Sequence, residues 1–441
     1  MLNPLSPRAL QGVMLLAPLL MAPPARAQRP ISWERERGVT MVHAIQRDLE
    51  KYYYDSTFHG LNLHALFDST IAAINQANSL SDVLGIVAGS LLPLNDSHTM
   101  FVPPAWRDEV EYPWELSMVG DTCFVIGLRP GTDTAALGGL AVGDAILAMD
   151  RFLPTRRAFW KLEYLYRALR PSPVVQFVAR APGGQPRRVI AHAKVIPGKS
   201  TIDLTGSDGG TDIWNLIRRR QDIDQDYRDR FVWFSKDVMI WRMREFDAPE
   251  QIDAAMRRAR DYAALIIDLR GNHGGAVSAL MRLTGSLIDR VDTIAMGQQR
   301  DRRVPEVSKP ADHPYSGKVI ILVDHRSASA SEALSKTVQL AGRGIVLGDT
   351  TWGALMTSRY YGHQMGSGET TVFYGVTVSI SDYVASDGSR PEGVGVIPDE
   401  VVLPSGADLA AHRDPVLARA LARLGMPMSP EDAGKLFSPR Q

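Results

Sequence analysis

The 441-residue sequence has one cysteine, Cys123, and no excess of either charge. A single cysteine excludes a disulfide within the chain. Lys plus Arg and Asp plus Glu both number 49, so the formal net charge is zero. This balance gives no reason to expect nucleic acid or an anionic membrane surface as a partner. Because Cys123 lies in an apolar, strand-like run, we expect it to pack in a core rather than to do chemistry.

Long hydrophobic runs are also scarce. After the N-terminal segment, no stretch is long and apolar enough for a transmembrane helix, so we predict no membrane span in the mature chain. Residues 1–27 have the features of a secretory signal: Arg8 before an apolar core at 10–22, then an A-x-A site at Ala25 and Ala27. We predict cleavage after Ala27 and export to the periplasm or the extracellular space.

The chain has enough length and hydrophobic residues to form a large core. Hydrophobic residues make up 45%, and the length suggests two or three domains. Apolar residues at helical spacing predict an N-terminal helical domain over residues 28–109. Short strand-like runs between Gly-rich turns indicate a small, partly open β-barrel over 110–197. Residues 198–230 are polar and charged, which predicts an exposed connector.

The second half of the chain has a different pattern. Strands alternate with helices over residues 231–404, which predicts an α/β core with helical crossovers between its strands. Within it, residues 300–317 carry polar residues and prolines and are predicted to form a loop. Residues 405–441 are predicted to be a helical C-terminal tail. In such a core, ligands gather at the carboxyl ends of the strands.

Two turns follow predicted core strands and could carry chemistry. Ser327–Ser331 reads SASAS between an apolar strand and a helix, where a serine nucleophile would gain from the positive end of the helix dipole. Ser329 and Glu332 also form a capping-box pattern, which is an ordinary helix start. Gly271–Gly275 reads GNHGG and offers backbone N–H groups to an oxyanion, or is simply a tight turn that needs glycine.

The region 110–197 resembles a PDZ domain. The matching stretch is GTDTAALGGLAVGDAILAMD, in which a short helix and a Gly-Asp turn lead into a central strand. The segment at the place of the PDZ carboxylate-binding loop reads WELSMVGDT. The resemblance implies a PDZ-like small β-barrel domain between the helical domain and the core.

Four stretches of the core together resemble the tail-specific, or C-terminal processing, serine peptidases. They are DLRGNHGG (268–275), SASASEAL (327–334), GIVLGDTTWG (344–353) and EGVGVIPD (392–399). Their order and spacing fit that family, and the helical and PDZ-like domains stand where the family has them. The resemblance implies an α/β fold with a crotonase/ClpP-like βαβ core. It also implies a peptide or unfolded protein substrate and no metal or other cofactor.

The same resemblance assigns roles to individual residues. It implies that Ser329 is the nucleophile, and that the N–H of Ala330 and that of Gly274 or Gly275 form the oxyanion site. The common branch of the family pairs its serine with a lysine that follows Thr-Thr-aromatic-Gly. In this sequence Ala354 stands at that position.

A different base is indicated by the run LNDSHT. It resembles the Leu-x-Asp-x-His-Thr turn of the tricorn-like branch, which uses a Ser-His-Glu arrangement with a second serine beside the histidine. Ser97 and His98 match that pair, and Glu392 matches the acidic residue of the branch. The resemblance implies that His98 is the general base and that Ser97 and Glu392 polarise the site. Histidine suits this role because its pKa lies near working pH. His273 and His325 are rival bases, since both lie in the turns that frame the site.

The sequence therefore favours an exported serine endopeptidase that forms an acyl-enzyme on Ser329. The alternative is a catalytically inactive ligand- or peptide-binding protein on the same fold, because the family's lysine is missing and retinoid-binding relatives use this core as a binding module. A third class, acyl transfer of the crotonase type, has no CoA-binding or metal-ligand cluster in the sequence to support it.

Overall fold

The structure is a computed structural model that describes residues 30–106, 108–198, 229–366 and 371–437. The predicted signal segment and nearly all of the predicted connector lie outside the described residues. No helix in these ranges combines the length and the hydropathy that crossing a bilayer requires.

The α-helices of the described residues follow one another along the whole chain. They are α1 (Ile31–Tyr52), α2 (Leu63–Ile74), α3 (Leu80–Gly89), α4 (Phe159–Tyr164), α5 (Pro249–Ala259), α6 (Val277–Leu287), α7 (Ala330–Leu340), α8 (Gly406–Ala410), α9 (Pro415–Arg423) and α10 (Pro430–Lys435). Asn62 and Ser79 cap α2 and α3, because each side chain accepts a hydrogen bond from a backbone N–H three residues on. Helices α1 to α3 share one apolar core.

The strands are concentrated in the middle and second half of the described chain. They are β1 (Met100–Val102), β2 (Glu109–Glu111), β3 (Trp114–Val119), β4 (Thr122–Leu128), β5 (Ala145–Met149), β6 (Val174–Arg180), β7 (Arg187–His192), β8 (Lys194–Ile196), β9 (Arg230–Trp233), β10 (Val238–Arg242), β11 (Ala264–Asp268), β12 (Asp292–Gln298), β13 (Arg303–Ser308), β14 (Lys318–Val323), β15 (Ile345–Gly348), β16 (Met356–Met365), β17 (Val372–Ala385) and β18 (Glu400–Val401).

A six-stranded sheet in the order β18-β15-β14-β11-β10-β9 carries the candidate site. All its neighbouring strands pair in parallel except β9, which runs antiparallel at the edge. Side chains of β11 alternate between the two faces, as a strand requires. Leu265 and Ile267 pack on the side of α5, α6 and α7, whereas Ile266 packs on the side of α9. The predicted mixed α/β fold is confirmed.

The register of this sheet brings the two candidate turns together. Strands β11 and β14 are adjacent and parallel, and Asp268 pairs with Leu322. The chain leaves β11 into Gly271–Gly275 and leaves β14 into Ser327–Ser331, so both turns lie at the same edge of the sheet. This is the carboxyl edge at which the sequence predicts the site.

A second sheet is built around the long strand β17, which pairs with β1, β12 and β16, while β13 pairs with β12. The prediction that residues 300–317 form a loop is wrong for Arg303–Ser308, which form β13. The strand tolerates Pro305 because it is an edge strand, where a missing N–H breaks no ladder on the open side. Pairing of Phe101 with Val376 holds the segment that follows the predicted base, His98, against this sheet.

The region that resembles a PDZ domain is a five-stranded antiparallel sheet in the order β3-β4-β5-β6-β7. Cys123 is buried in its core, as predicted. The short helix predicted between β4 and β5 is wrong: that stretch forms turns, with Gly138, Gly139 and Gly143 at positive φ. The helix of this region is α4, which continues into a π-helical turn at Leu165–Leu169.

Candidate active site

Ser329 occupies a strained turn between β14 and α7. Its φ of 54° and ψ of −117° lie in a region that residues with a Cβ rarely adopt. Its N–H donates to the Ala354 carbonyl at 3.0 Å and to Glu332 Oε2 at 3.1 Å. The residue as a whole is partly exposed to solvent. The backbone is therefore held in a costly conformation that presents a hydroxyl group at a helix start.

Glu332 is the group that holds this turn. It is fully buried, and besides the Ser329 N–H it accepts hydrogen bonds from Thr351 Oγ1 at 2.5 Å, Gly353 N at 2.7 Å and Ala354 N at 2.9 Å. Burial raises the pKa of Glu332, and these four hydrogen bonds oppose that shift. The Glu332 side chain thus accepts the Ser329 N–H, as a capping box requires. The same side chain also links the turn to residues 351–354.

Removing the charge of Glu332 should loosen the nucleophile turn. A Glu332→Gln side chain keeps one oxygen and replaces the other with an NH₂ group, so two of the four donors lose Glu332 as their acceptor. We expect a loss of about 2–3 kcal/mol of unfolding free energy and a parallel loss of activity. Urea unfolding measures the first quantity. Glu36→Gln, at an exposed position of α1, is the matched control and should change little; equal stability of the two variants would contradict this role.

The GNHGG turn packs directly against Ser329. Gly274 and Gly275 have φ of 94° and 140°. A Cβ added to Gly274 would lie 2.6 Å from the Ser329 Cβ and 2.8 Å from the Ala330 nitrogen. No other residue type could approach so closely, which explains the glycine. The structure therefore brings Gly274 and Ala330 together, as the sequence predicts for an oxyanion site.

The N–H groups of the two turns differ in whether they already donate a hydrogen bond. The Gly274 N–H donates to Asn272 Oδ1 at 2.8 Å. In the described part of the chain, no acceptor is bonded to the N–H of Ala330 or of Gly275. The Ala330 N–H also lies in the first turn of α7, where the helix dipole favours negative charge. Among the described residues, the Ala330 and Gly275 N–H groups thus differ from that of Gly274 in having no bonded acceptor.

Asn272 is a buried link between the two turns that sequence analysis did not single out. Ser331 Oγ donates to its Oδ1 at 2.9 Å, and the Ala328 N–H donates to its carbonyl at 3.1 Å. Its own amide donates to the Met243 carbonyl at 3.0 Å. The sequence signal was an amide inside a glycine turn, where a side chain must satisfy backbone groups that no strand partner reaches.

His98 lies in a compact turn that follows Asn95, a residue with φ of 53°. The His98 side chain is only 4% exposed. Its Nδ1 is 2.6 Å from Ser97 Oγ. The backbone N–H groups of His98 and Thr99 both donate to Asp96 Oδ1, at 3.0 and 2.6 Å. The turn thus holds the imidazole through the Ser97 contact and through the hydrogen bonds of its own backbone.

Glu392 joins this turn to the loop beside Ser329. Its Oε1 accepts from the Ser97 N–H at 2.7 Å, and its Oε2 lies 3.1 Å from Ser97 Oγ. The same Oε2 accepts from the Leu355 N–H at 2.8 Å. Leu355 follows Ala354, whose carbonyl accepts the Ser329 N–H. Hydrogen bonds thus link Ser97, His98 and Glu392, and Glu392 is also bonded to the residue that follows Ala354.

The pKa of the Glu392 carboxyl group is raised above its ordinary value. Burial raises its pKa to about 8, and the nearby negative charge of Asp96 adds to the shift, against the hydrogen bonds from Leu355 and Ser97. A carboxyl group with a pKa near working pH at the centre of a polar cluster is typical of functional sites.

The two rival histidines have different surroundings. His325 is buried, its Nδ1 is 3.1 Å from Arg156 Nη1, and its ring stacks on Trp352 with centroids 6.0 Å apart. Burial, then Arg156 and Arg326, lower the pKa of His325 to about 3, so it is a poor base. The His273 ring packs edge-on against Trp352, with centroids 6.4 Å apart.

Neither Lys318 nor Lys336, the lysines nearest to Ser329 in sequence, stands at the position that the common branch gives to its lysine. Ala354 is 1% exposed and is held by its N–H bond to Glu332. Lys336 Nζ pairs with Asp387 Oδ2 at 2.8 Å. Lys318 is exposed at the start of β14, the opposite end of the strand from the Ser329 turn.

Known proteins resemble this chain, and the matching family model covers Ser329, Glu332 and Glu392. The sequence model of peptidase family S41 matches residues 237–402. Carboxyl-terminal-processing peptidase 1, chloroplastic, of Arabidopsis thaliana is 30% identical over 73% of this chain and 62% of its own length. Tail-specific protease of Haemophilus influenzae is 33% identical over 62% of this chain and 38% of its own. The chain thus spans less than two thirds of the length of either relative.

A solved structure has the same fold. Mature CPAF, complexed with lactacystin, superposes with a TM-score of 0.62 over 86% of this chain and 96% of that chain, at 15% identity. At this identity the likeness concerns the fold alone. Residues 237–402 thus match the model of peptidase family S41, and the two relatives are a C-terminal processing peptidase and a tail-specific protease.

Proposed function

We propose that this chain is a serine endopeptidase that cleaves peptides or unfolded protein segments through an acyl-enzyme on Ser329, with His98 as the base. The observation that carries the proposal is the hydrogen-bonded path from His98 through Ser97 to Glu392. Glu392 Oε2, which ends this path, also accepts from the N–H of Leu355, in the loop that holds Ser329. That path is what a neutral serine needs, because it orients and polarises a base.

The path sets the tautomer of His98 when Glu392 is ionised. The Ser97 hydroxyl then donates to the carboxylate, and its oxygen accepts the Nδ1–H of His98. This leaves the Nε2 lone pair to accept the hydroxyl proton of Ser329 as Oγ attacks the peptide carbonyl carbon. The Ala330 and Gly275 N–H groups receive the oxyanion. We assign Gly275 rather than Gly274 because Asn272 already occupies the Gly274 N–H.

The rest of the reaction uses the same groups in reverse. The protonated His98 gives its proton to the amine as the C–N bond breaks, which leaves an ester on Ser329 and releases the first product. A water molecule then loses a proton to His98 and attacks the ester carbonyl. Collapse of the second tetrahedral intermediate returns the proton to Ser329 and releases the carboxylic acid.

The direct test is turnover. The purified chain should hydrolyse fluorescein-labelled casein or an unstructured peptide, and a Ser329→Ala chain prepared in parallel should not. The names of the two relatives support protein segments near a C-terminus as the substrate class. Binding of the same peptide without any cleavage would instead support the alternative of an inactive peptide-binding protein on this fold.

We also propose that the chain is exported, on the strength of the A-x-A site after a short apolar core. Cleavage after Ala27 leaves Gln28 as the first residue of the mature protein. Mass spectrometry of the protein from its native source should find this N-terminus. Recovery of a chain that still carries Met1 would contradict export by signal cleavage.

A further inference from the structure

Asp96 is a buried carboxylate that three separate elements surround. It is 8% exposed. Its Oδ1 accepts from the His98 and Thr99 N–H groups and, at 2.8 Å, from Ser379 Oγ of β17. Its Oδ2 accepts from the Tyr53 hydroxyl, at the end of α1, at 2.8 Å. Four donors therefore converge on one side chain that touches neither Ser329 nor the oxyanion donors.

The same carboxylate acts on Glu392 through space. Two carboxyl groups that share a poorly solvated region disfavour each other's ionised forms. Asp96 is the charged neighbour that raises the pKa of Glu392, in addition to burial. Asp96 thus accepts hydrogen bonds from the backbone of the His98 turn. Its negative charge also raises the pKa of Glu392.

We propose that Asp96 is a positioning residue of the reaction: it fixes the His98 turn, and its negative charge controls which tautomer the Glu392–Ser97–His98 path imposes on the imidazole. The inference rests on the proposed function. In this role Asp96 does more than stabilise the fold, because its charge determines where the protons of the Glu392–Ser97–His98 path lie.

The physical consequence follows from the donors and acceptors of the path. Protonated Glu392 donates to Ser97 Oγ, whose own hydrogen then turns to His98 Nδ1. That tautomer carries its proton on Nε2 and cannot accept one from Ser329. Ionised Glu392 gives the opposite tautomer, with Nε2 open. Because the pKa of Glu392 is about 8, kcat/KM should rise with pH through about 8.

Other ionisable groups face Glu392 across a cavity of about 510 Å³. They are Tyr54, Asp55, His59, Arg300, Asp382 and Arg390. Most of these have partners of their own: Arg390 is paired with Asp382, and Asp55 accepts from the His59 N–H at 2.7 Å. Their effects on Glu392 are screened by the open cavity. Asp96 is buried and is not among the residues that line the cavity, so its charge is screened less.

The test is the pH profile of the Asp96→Asn enzyme. Asparagine has nearly the same shape but no charge, so the pKa of Glu392 should fall, and the rising limb of kcat/KM should move down by about one pH unit. The plateau should also fall, because one amide cannot accept from all four donors. Asp96→Ser is a second neutral variant, since serine can still accept from a turn N–H.

Tyr53→Phe is the matched control because it removes one hydrogen bond to Asp96 and leaves the charge in place. It should lower the plateau a few-fold without moving the limb. Glu392→Gln should abolish the limb altogether. A limb that stays near pH 8 in both neutral variants would overturn the inference and leave Asp96 as a structural brace.

One further measurement separates this inference from the proposed function. Wild-type protein is treated at pH 9 with a fluorophosphonate probe, and the labelled residue is identified. Labelling of Ser329 with an unmoved limb in the neutral variants contradicts the role of Asp96 alone. Absence of labelling in the wild type contradicts the proposed function, and the role of Asp96 with it.

Discussion

Replacing His98 with alanine should lower kcat for a peptide substrate by about 10⁴-fold or more. Without the imidazole, no group on the path from Glu392 can take the Ser329 proton. The oxyanion donors Ala330 and Gly275 remain, so a small residual rate over uncatalysed hydrolysis is expected. The side chain is buried, and its loss should cost about 1–2 kcal/mol of unfolding free energy, which leaves the chain folded. Single-turnover kinetics with a fluorogenic peptide, beside thermal unfolding, measures both effects.

The rival histidines provide the controls for this result. His325→Gln should keep most of the activity, because His325 is already held as a neutral, hydrogen-bonded ring beside Arg156. His273→Ala should retain far more activity than His98→Ala. Wild-type turnover in His98→Ala would show that the base lies elsewhere, and a larger loss in His273→Ala would identify the alternative.

Removing the hydroxyl of Ser329 should abolish hydrolysis and leave the fold intact. Both Ser329→Ala and Ser329→Gly lack a nucleophile, so neither should turn over substrate above the background rate. They should differ in stability. At φ of 54° and ψ of −117°, glycine has no Cβ to strain, and Ser329→Gly should be more stable than Ser329→Ala by roughly 1 kcal/mol. Thermal unfolding and casein hydrolysis on the same preparations measure the pair.

The neighbouring serines test whether the correct one has been chosen. Ser327 Oγ donates to the Leu269 carbonyl at 2.8 Å, and Ser331 Oγ bonds to Asn272. Ser327→Ala and Ser331→Ala should therefore each lose about 1 kcal/mol of stability and retain activity. An active Ser329→Ala beside an inactive Ser331→Ala would mean that the nucleophile has been misassigned.

Sequence patterns predicted the parts of the fold in which local and tertiary preferences agree. The apolar run before each turn made β11 and β14 evident, and their parallel register then placed Gly271–Gly275 beside Ser327–Ser331. The strand β13 was missed because its burial alternates weakly and Pro305 suggests a loop. Only its pairing with β12 makes it a strand, and pairing with a distant segment leaves no local signature.

The candidate site also has parts that a local sequence motif predicts and parts that only tertiary contacts reveal. A sequence motif could indicate Ser97, His98 and Glu392 as candidate site residues. It could not show that the Glu392 carboxylate also accepts a hydrogen bond from the Leu355 N–H. Asp96 was visible only as one residue of the LNDSHT run. Its importance depends on Tyr53 and Ser379, which come from a helix and a strand far away in sequence. Likewise, Glu332 looked like half of a helix cap, and its hold on residues 351–354 is a tertiary contact.

The most direct test of the account is the site of covalent labelling in the wild-type chain. Protein is incubated with a fluorophosphonate probe above pH 8, digested, and mapped by tandem mass spectrometry. We expect one adduct, on Ser329, and none when His98 is replaced by alanine. An unlabelled wild-type chain, or an adduct on Ser327 or Ser331 with Ser329 unmodified, would contradict it.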